Sequence, residues 1–178
     1  MKLPAIFFDR DGIVNTRLVD KYVLNINQFE FSPNFFDLFS ALKKIGYLAI
    51  LITNQQGIGK GLMTDSDLDI IHKYMQNTIL NETGFAFDDI FYCGELKEAN
   101  SFRRKPNPGM IIEAIEKYNI DINNSFMIGD SFSDIEAGKK AGVKTIYINN
   151  DQCDFADYSF QNLNEVRSFF NNLKQKNV

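Results

Sequence analysis

The chain alternates between short, mostly apolar runs and longer segments in which apolar residues recur at helical spacing. Short apolar runs bounded by polar residues or glycine predict strands that are buried on both faces of a sheet. These runs lie at residues 3–8, 47–53, 90–93, 125–128 and 143–148. The helical segments lie at residues 33–45, 64–81, 108–118 and 163–173, and a further helix ends at residue 141.

Helix boundaries can be predicted from residues that satisfy the free backbone groups at helix ends. Ser32 followed by Pro33 predicts a cap and a first helical residue, because proline needs no N–H partner there. Thr64 and Asp67 have the spacing of a capping box, in which each side chain binds the backbone N–H of the other. Gly142 predicts a helix end, since glycine readily adopts the left-handed conformation that follows a last turn.

The order of these elements predicts the fold class. Strands and helices that alternate along a chain form α/β folds, here a doubly wound, Rossmann-like and mostly parallel sheet with helices on both faces. A length of 178 residues fits a single domain, which we expect to span residues 1–178. The stretch from Gly94 to Arg104 is the one long irregular loop of this pattern.

Composition narrows the class of protein. A net charge of −4 argues against a nucleic-acid surface, and no run approaches the roughly 20 apolar residues of a membrane span. With only two cysteines, Cys93 and Cys153, a disulfide framework is not expected. We therefore expect a cytoplasmic protein that binds neither nucleic acid nor membrane.

Polar side chains collect where the predicted strands end. The first strand is followed by Asp9, Arg10 and Asp11, the second by Thr53, Asn54 and Gln55, and the fourth by Asp130. Arg104 and Lys105 precede the helix after the third strand. Ligands of open parallel sheets bind beyond the carboxyl ends of the strands, so these residues predict a site at one edge.

The residue types at this edge suit phosphate chemistry with a metal ion. Asp134, one helical turn after Asp130, adds a fourth carboxylate to those of Asp9, Asp11 and Asp130. Several carboxylates need a cation to stay ionised together, and Mg²⁺ prefers oxygen ligands. The hydroxyl, amide and cationic groups of Thr53, Asn54, Arg104 and Lys105 suit a bound phosphoryl group. An aspartate can itself attack phosphorus and form an aspartyl-phosphate. Taken alone, Asp9 and Asp11 also fit a solvated or helix-capping loop.

Four motifs in this order are more specific than any one of them. The stretches FFDRDG, ITNQ, RRKPNPGM and IGDSFSD resemble the haloacid dehalogenase (HAD) superfamily of phosphotransferases. The fuller stretches DRDGIVN, TNQQGIGKG and RKPNPGM resemble the branch that contains the D,D-heptose 1,7-bisphosphate phosphatases and the histidinol-phosphate phosphatases. The resemblance covers residues 3 to 150, and the short spacings between its motifs imply that no large cap domain is present.

The resemblance implies a role for each matching residue. Asp9 is the expected nucleophile, and Asp11 is the expected acid that protonates the leaving oxygen and then helps to activate water. Mg²⁺ would be held by the Asp9 carboxylate, the backbone carbonyl of Asp11 and the Asp130 carboxylate. The expected substrate-binding residues are Thr53, Asn54, Gln55, Arg104 and Lys105. Gly12 is expected because the chain must turn sharply beside the site.

The sequence departs from this branch at one loop. Many members carry a zinc loop with Cys-x-His at its start and Cys-x-Cys at its end. Here Cys93 stands at the first position, but Glu95, Ser101 and Arg103 occupy the other three. One ligand of four cannot form a structural zinc site, so no structural zinc is expected. Arg103 adds a cation beside Arg104 and Lys105, which favours a second phosphate on the substrate.

Together these observations predict a monomeric, Mg²⁺-dependent phosphatase of a small phosphorylated metabolite. A sugar bisphosphate is the first expectation, namely D-glycero-D-manno-heptose 1,7-bisphosphate with hydrolysis at the 7-phosphate. Histidinol-phosphate phosphatase is an alternative enzyme. A nucleic-acid 3′-phosphatase shares parts of the motifs, but the acidic charge speaks against it. A phospho-accepting receiver domain is the alternative from a different class, and it would show little turnover of small phosphate esters.

Overall fold

The computed structural model describes residues 2–151 and 153–176. Its strands are β1 (Ala5–Phe8), β2 (Leu48–Asn54), β3 (Asp89–Cys93), β4 (Phe126–Gly129), β5 (Lys144–Ile148) and β6 (Tyr158–Phe160). Its α-helices are α1 (Phe35–Lys44), α2 (Asp65–Thr83), α3 (Gly109–Tyr118), α4 (Phe132–Ala141) and α5 (Leu163–Lys176). The alternation expected from the sequence is therefore present.

The six strands form one sheet in the order β3-β2-β1-β4-β5-β6, and every pair is parallel. The strand order reverses between β1 and β4, since the chain moves outward from β1 to β3 and then returns to the other side of β1. Such a reversal opens a crevice beyond the carboxyl ends of the two central strands. The predicted α/β fold is confirmed, and the crevice lies where Asp9 and Asp130 leave their strands.

Alternate residues of β1 face two hydrophobic cores. Ile6 and Phe8 pack with residues of α1, α2 and α5, whereas Ala5 and Phe7 pack with residues of α3 and α4. All four of these side chains are fully buried. The Phe8 ring lies edge-on to Phe87, with ring centroids 5.5 Å apart. Because both faces are packed, the strand that precedes Asp9 is held rigidly.

Two of the three predicted helix boundaries are confirmed. The capping box of Thr64 and Asp67 is present at the start of α2, and Gly142 follows α4 in the left-handed conformation. The predicted start of α1 at Ser32 and Pro33 is wrong. Asn34 precedes the helix with a φ of 63°, and Phe35 donates its N–H to the Ser32 carbonyl at 3.1 Å. Pro33 thus lies in a turn, where its fixed φ is equally favourable.

The C-terminal part of the sheet was not predicted. Strand β6 contains three residues, which is too short for an alternating pattern to be recognised. It pairs with β5 and extends the sheet by one strand. Within residues 2–151 and 153–176, no helix is both long and apolar enough to cross a membrane.

Candidate active site

The two central strands deliver carboxylates to the crevice between them. Asp9 follows β1 directly, and its backbone N–H donates to the Ile128 carbonyl of β4 at 3.0 Å. Asp130 follows β4 directly. The backbone hydrogen bond continues the pairing of the two strands past the end of β1, so the position of Asp9 relative to Asp130 is set by the sheet itself.

A buried lysine connects the strand ends to the loop after β3. Lys105 is 3% exposed, and its Nζ lies 2.6 Å from Asp9 Oδ1 and 2.6 Å from Asp134 Oδ1. The same ammonium donates to the Ile52 carbonyl at 2.8 Å. Two of the three ammonium protons thus have hydrogen-bond acceptors, in Asp9 and Ile52, and Asp134 adds an ion pair. Burial alone would lower the pKa of Lys105, but Asp134 and Asp9 outweigh it and the pKa is raised.

The carboxylates of Asp9, Asp130 and Asp134 form a cluster, with one oxygen of each within 4.8 Å of the others. Burial and the neighbouring Asp134 raise the pKa of Asp9 to about 8, and the same two causes raise the pKa of Asp130 to about 6. Asp130 Oδ1 and Asp134 Oδ1 are both buried and accept no hydrogen bond from the described residues. An oxygen cluster short of positive charge, with two oxygens that lack a hydrogen bond, fits a divalent cation such as Mg²⁺.

A glycine lets the chain pass close to this cluster. Gly12 has a φ of 108°, in a region that only glycine enters easily. A Cβ at this position would lie 2.1 Å from Asp130 Oδ2, which is far inside any allowed contact. Both the conformation and the space therefore require glycine, as expected from the sequence.

Asp11 lies in surroundings of the opposite kind. Its Oδ1 accepts hydrogen bonds from Arg10 Nη2 and Asn15 Nδ2, each at 3.0 Å, and its Oδ2 accepts one from Gln55 Nε2 at 2.9 Å. Arg10 is 1% exposed, and its Nη2 is also 2.9 Å from Asp11 Oδ2. Burial would raise the pKa of Asp11, but the Arg10 charge and these donors outweigh it and hold the pKa below its ordinary value.

At the end of β2, Thr53 and Gln55 are buried, whereas the Asn54 side chain reaches the cavity. The Asn54 side chain donates to the Lys105 carbonyl at 2.9 Å and accepts from the Lys105 N–H at 3.1 Å, which fixes the loop before α3 to the end of β2. Thr53 and Gln55 are buried, at 1% and 2% exposure. Gln55 Nε2 donates to Thr53 Oγ1 at 2.8 Å as well as to Asp11. Of these three residues, the structure places only Asn54 at the cavity wall.

A cavity of about 490 Å³ opens over the carboxylates. Its lining includes Asp9, Asp11, Asn54, Arg104, Lys105 and Asp130, so most of the predicted site residues are brought together. Its outer part is formed by the segment 17–23 and by Gln56, Lys60 and Arg104. Cations dominate this outer part, with Lys21, Lys60 and Arg104 against the single lining carboxylate Asp20, whereas Arg17 is paired with Asp130.

The neighbouring arginines of the loop after β3 point in different directions. Arg104 lines the cavity and donates to the Glu95 carbonyl at 2.9 Å and to Gln56 Oε1 at 2.8 Å. Arg103 instead forms an ion pair with Glu113 of α3 at 2.9 Å, away from the cavity lining. The expectation that Arg103 adds a cation to the site is therefore wrong, because α3 offers it a closer carboxylate.

The loop that differs from the zinc pattern is held by hydrogen bonds of its own. Gly94 accepts from the Gly59 N–H at 2.9 Å, and the Ser101 carbonyl accepts from Asn107 Nδ2 at 3.0 Å. The bonds of Arg104 to Glu95 and Gln56 join this loop to the turn after β2. Cys93, at the first of the four zinc-ligand positions, is buried at the end of β3.

Asp134, which the sequence placed one helical turn after Asp130 as a fourth carboxylate, completes the cluster with Asp9 and Asp130. Other residues of the site were not found from the sequence. Arg17, whose Nη1 lies 3.3 Å from Asp130 Oδ2, had no signal, because the long loop after β1 follows no period. Tyr22 accepts from Gln56 Nε2 at 3.3 Å, and its ring lies 5.3 Å from Lys60 Nζ.

Comparison with known proteins identifies relatives along most of the chain. The model of the HAD-hydrolase-like family matches residues 102–174. A D-glycero-beta-D-manno-heptose-1,7-bisphosphate 7-phosphatase of Helicobacter pylori is 43% identical over 141 residues, which are 79% of this chain and 80% of that protein. A D-glycero-alpha-D-manno-heptose-1,7-bisphosphate 7-phosphatase of Campylobacter jejuni is 34% identical over 100% of both chains.

A solved structure of a heptose bisphosphate phosphatase has the same fold along nearly the whole chain. The D,D-heptose 1,7-bisphosphate phosphatase of B. bronchiseptica, crystallised with magnesium and phosphate, superimposes with a TM-score of 0.86. The match covers 97% of this chain and 99% of that chain at 25% sequence identity. Its complex with magnesium and phosphate agrees with the chemistry that the carboxylate cluster and the cations suggest.

Proposed function

We propose that this chain, which belongs to the D-glycero-D-manno-heptose 1,7-bisphosphate 7-phosphatase family of HAD-like hydrolases, removes the 7-phosphate of that sugar bisphosphate. The family membership confirms the resemblance drawn from the motifs. One observation carries the proposal: Asp9 ends a rigid strand beside Asp130 and Lys105, beneath a cavity whose outer part is cationic. A phosphate fits at the carboxylate end only with a cation, and a second anion fits at the outer end.

Asp9 performs the first step. One of its carboxylate oxygens attacks phosphorus, and the bond between phosphorus and the sugar oxygen breaks. Lys105 Nζ, 2.6 Å from Asp9 Oδ1, orients the nucleophile, and the packed strand β1 prevents it from moving. Asp11 gives its proton to the departing sugar oxygen, which leaves an aspartyl-phosphate on Asp9.

Asp11 performs the second step as a base. It takes a proton from a water molecule, whose oxygen attacks the aspartyl-phosphate and releases inorganic phosphate and the Asp9 carboxylate. The donors around Asp11 favour its ionised form, as this step needs. For the first step, the anionic phosphoryl group of the substrate raises the proton affinity of the neighbouring Asp11.

The Asp9 carboxylate, the backbone carbonyl of Asp11 and the Asp130 carboxylate would hold Mg²⁺, with Asp134 and Lys105 adjusting the charge around them. When bound, this ion supplies the positive charge that lets several carboxylates and a phosphate coexist. Thr53 and Asn54 would bind the phosphoryl oxygens, and Asn54 retains one amide proton after its bond to Lys105.

Arg104 would bind the second phosphate. Its guanidinium lines the cavity, and its hydrogen-bond partners among the described residues are a carbonyl oxygen and an amide oxygen, so no carboxylate neutralises its charge. The cationic outer cavity also argues against histidinol phosphate, since the ammonium group of that substrate would face Lys60 and Arg104.

Steady-state kinetics on four substrates test the proposal: the heptose 1,7-bisphosphate, the heptose 7-phosphate, histidinol phosphate and an aryl phosphate. We expect the bisphosphate to have the highest kcat/KM. Arg104→Met should lower kcat/KM for the bisphosphate by roughly 10- to 100-fold, and by much less for the 7-phosphate. Arg103→Met is the matched control and should leave both values near those of the wild type. A preference for histidinol phosphate would overturn the substrate.

The proposal also includes the remaining expectations from the sequence. The chain would act in the cytoplasm as a single-domain monomer, with Mg²⁺ as its metal ion and without structural zinc. Elemental analysis of the purified protein measures its zinc content, and light scattering measures its oligomeric state. One zinc ion per chain would overturn the interpretation of the loop that begins at Cys93.

A further inference from the structure

We infer that Gln55 is a positioning residue that couples the proton donor Asp11 to the phosphoryl-binding residue Thr53. The inference rests on the proposed function, because that function gives Asp11 and Thr53 their roles. The sequence assigned Gln55 to substrate binding, and the structure offers a different use for its side chain.

The side chain of Gln55 is committed to two partners inside the protein. Its Nε2 lies 2.9 Å from Asp11 Oδ2 and 2.8 Å from Thr53 Oγ1. An amide nitrogen carries two protons, so both are used by these two acceptors. Gln55 is 2% exposed, and its backbone N–H donates to the Cys93 carbonyl at 2.7 Å. It therefore has no free amide proton with which to donate to a substrate.

The charge of Asp11 determines which atom of the Gln55 amide donates the two hydrogen bonds. Ionised Asp11 can only accept hydrogen bonds, so the nitrogen of the Gln55 amide must face it. The same nitrogen then donates to Thr53 Oγ1, which leaves the hydroxyl proton of Thr53 to point elsewhere. No other bond of this hydroxyl is made within the part of the chain that the structure describes. A phosphoryl oxygen of the substrate is the acceptor that this proton suits.

The adjacent Gln56 shows what a glutamine facing the substrate looks like. Gln56 lines the cavity and contacts Arg104 and Tyr22, both of which also line it. Two consecutive glutamines thus face opposite directions at the end of β2. Gln56 belongs to the wall that meets the substrate, and Gln55 belongs to the layer behind Asp11 and Thr53.

The test compares Gln55→Met with Gln56→Met, since methionine keeps the length of the side chain but removes its donors. Gln55→Met should lower kcat by about 10- to 100-fold with KM within about 3-fold of the wild type. Gln56→Met should act mainly on KM for the bisphosphate. The loss in Gln55→Met should be larger for an alkyl phosphate than for an aryl phosphate, because only the alkyl leaving group needs full protonation.

A double-mutant cycle separates positioning from general destabilisation. In an Asp11→Asn background, Gln55→Met should cost at most a few-fold, because the acid that Gln55 positions is already lost and only the bond to Thr53 remains to be removed. The thermal midpoint of each variant reports whether the fold is retained. If Gln55→Met does not fold, Gln55→Glu takes its place, and its second carboxylate against Asp11 should lower kcat further while KM changes little.

Each other outcome has a definite meaning. A kcat near that of the wild type, an equal loss for alkyl and aryl phosphates, or an undiminished loss in the Asp11→Asn background overturns the positioning role. A rise in KM alone returns Gln55 to substrate binding. If the wild type prefers another phosphate ester, the substrate proposal fails, and the Gln55 comparison is made on that ester. If the wild type hydrolyses no phosphate ester, both proposals fail.

Discussion

Asp9 and Asp11 are two residues apart, yet their surroundings are electrostatically opposite. Asp9 lies beside two further carboxylates, Asp130 and Asp134, and burial together with Asp134 raises its pKa to about 8. Asp11 is surrounded by donors from Arg10, Asn15 and Gln55, and its pKa lies below the ordinary value. The comparison shows that one loop holds two different carboxylates. Asp9 needs additional positive charge to be ionised, whereas the ionised form of Asp11 is already stabilised by hydrogen bonds.

The difference follows from where each side chain points. Asp9 continues β1 and faces the crevice between β1 and β4, where the carboxylates of the second half of the chain arrive. Asp11 also lines the cavity, but its carboxylate oxygens accept hydrogen bonds from the buried Arg10, from Asn15 and from Gln55 at the end of β2. A nucleophile and a proton donor need different proton affinities, and these surroundings provide them within one short segment.

The largest effect is expected from Asp9→Asn. The amide cannot form an aspartyl-phosphate, so turnover should fall by at least about 10⁴-fold, to background. Phosphate release measures the loss, and acid-quench labelling should detect a phosphorylated wild-type chain and no phosphorylated variant. Asp37→Asn, at an exposed carboxylate of α1 paired with Arg167, is the matched control. Retention of substantial activity by Asp9→Asn would reduce Asp9 to a metal ligand.

Asp11→Asn should have the next largest effect. Loss of general acid and base catalysis should lower kcat by roughly 10²- to 10⁴-fold on alkyl phosphates. On aryl phosphates the first step needs less protonation, so the loss should be smaller. Metal affinity should change little, since the proposed ligand at this residue is its backbone carbonyl. Equal losses on both classes of ester would contradict the role of Asp11.

Stability without metal should distinguish the two acids through its pH dependence. In the folded chain Asp9 keeps its proton up to about pH 8, whereas in the unfolded chain it loses it near the ordinary value of 3.8. The folded state binds more protons between these values, so the free energy of unfolding falls as the pH rises through this window. For each proton by which the two states differ, the slope should reach about 1.4 kcal/mol per pH unit.

Urea unfolding in a chelating buffer measures this slope. Mg²⁺ should remove most of it, because a bound cation keeps Asp9 ionised in the folded state. Asp9→Asn should flatten it as well, since the titrating group is absent. A stability that rises with pH across the window would mean that Asp9 does not lie in the electrostatic surroundings described above.

The smallest effect is expected from Arg17→Ala. Arg17 is mostly exposed and its Nη1 lies 3.3 Å from Asp130 Oδ2, so it supplies part of the positive charge that the cluster lacks. Exposed ion pairs contribute about 1 kcal/mol or less. Removal should therefore raise the affinity for Mg²⁺ by no more than a few-fold, as measured by calorimetric titration. A loss of affinity would mean that Arg17 helps to hold the metal rather than competing with it.

The sequence predicted the centre of this site better than its periphery. Asp9, Asp130 and Lys105 stand directly beside elements with strong local patterns, and the ends of parallel strands must meet at one edge of a sheet. The outer cavity was not predictable in this way. Arg17, Tyr22 and Lys60 belong to loops without a period, and their positions depend on contacts between residues far apart in the chain.

The sequence also did not predict which of two neighbouring side chains of the same type faces the cavity. Arg103 and Arg104 are neighbours of the same type, and only the location of Glu113 on α3 shows which of them is drawn away from the cavity. Gln55 and Gln56 present the same problem, because a strand that ends in a turn gives no rule for which amide faces the substrate. Such choices are made by tertiary contacts, so motif and spacing identify the candidates without assigning each one its partner.

The central position of β1 has a consequence for how the chain is made. A ribosome synthesises β1 first and β2 soon afterwards, but β4, the other neighbour of β1, follows more than a hundred residues later. During that interval one edge of an apolar strand has no partner, and such edges favour aggregation and chaperone binding. Asp130 and Asp134 emerge with or after β4, so a nascent chain halted before residue 126 lacks most of the carboxylate cluster and the strand that would cover this edge.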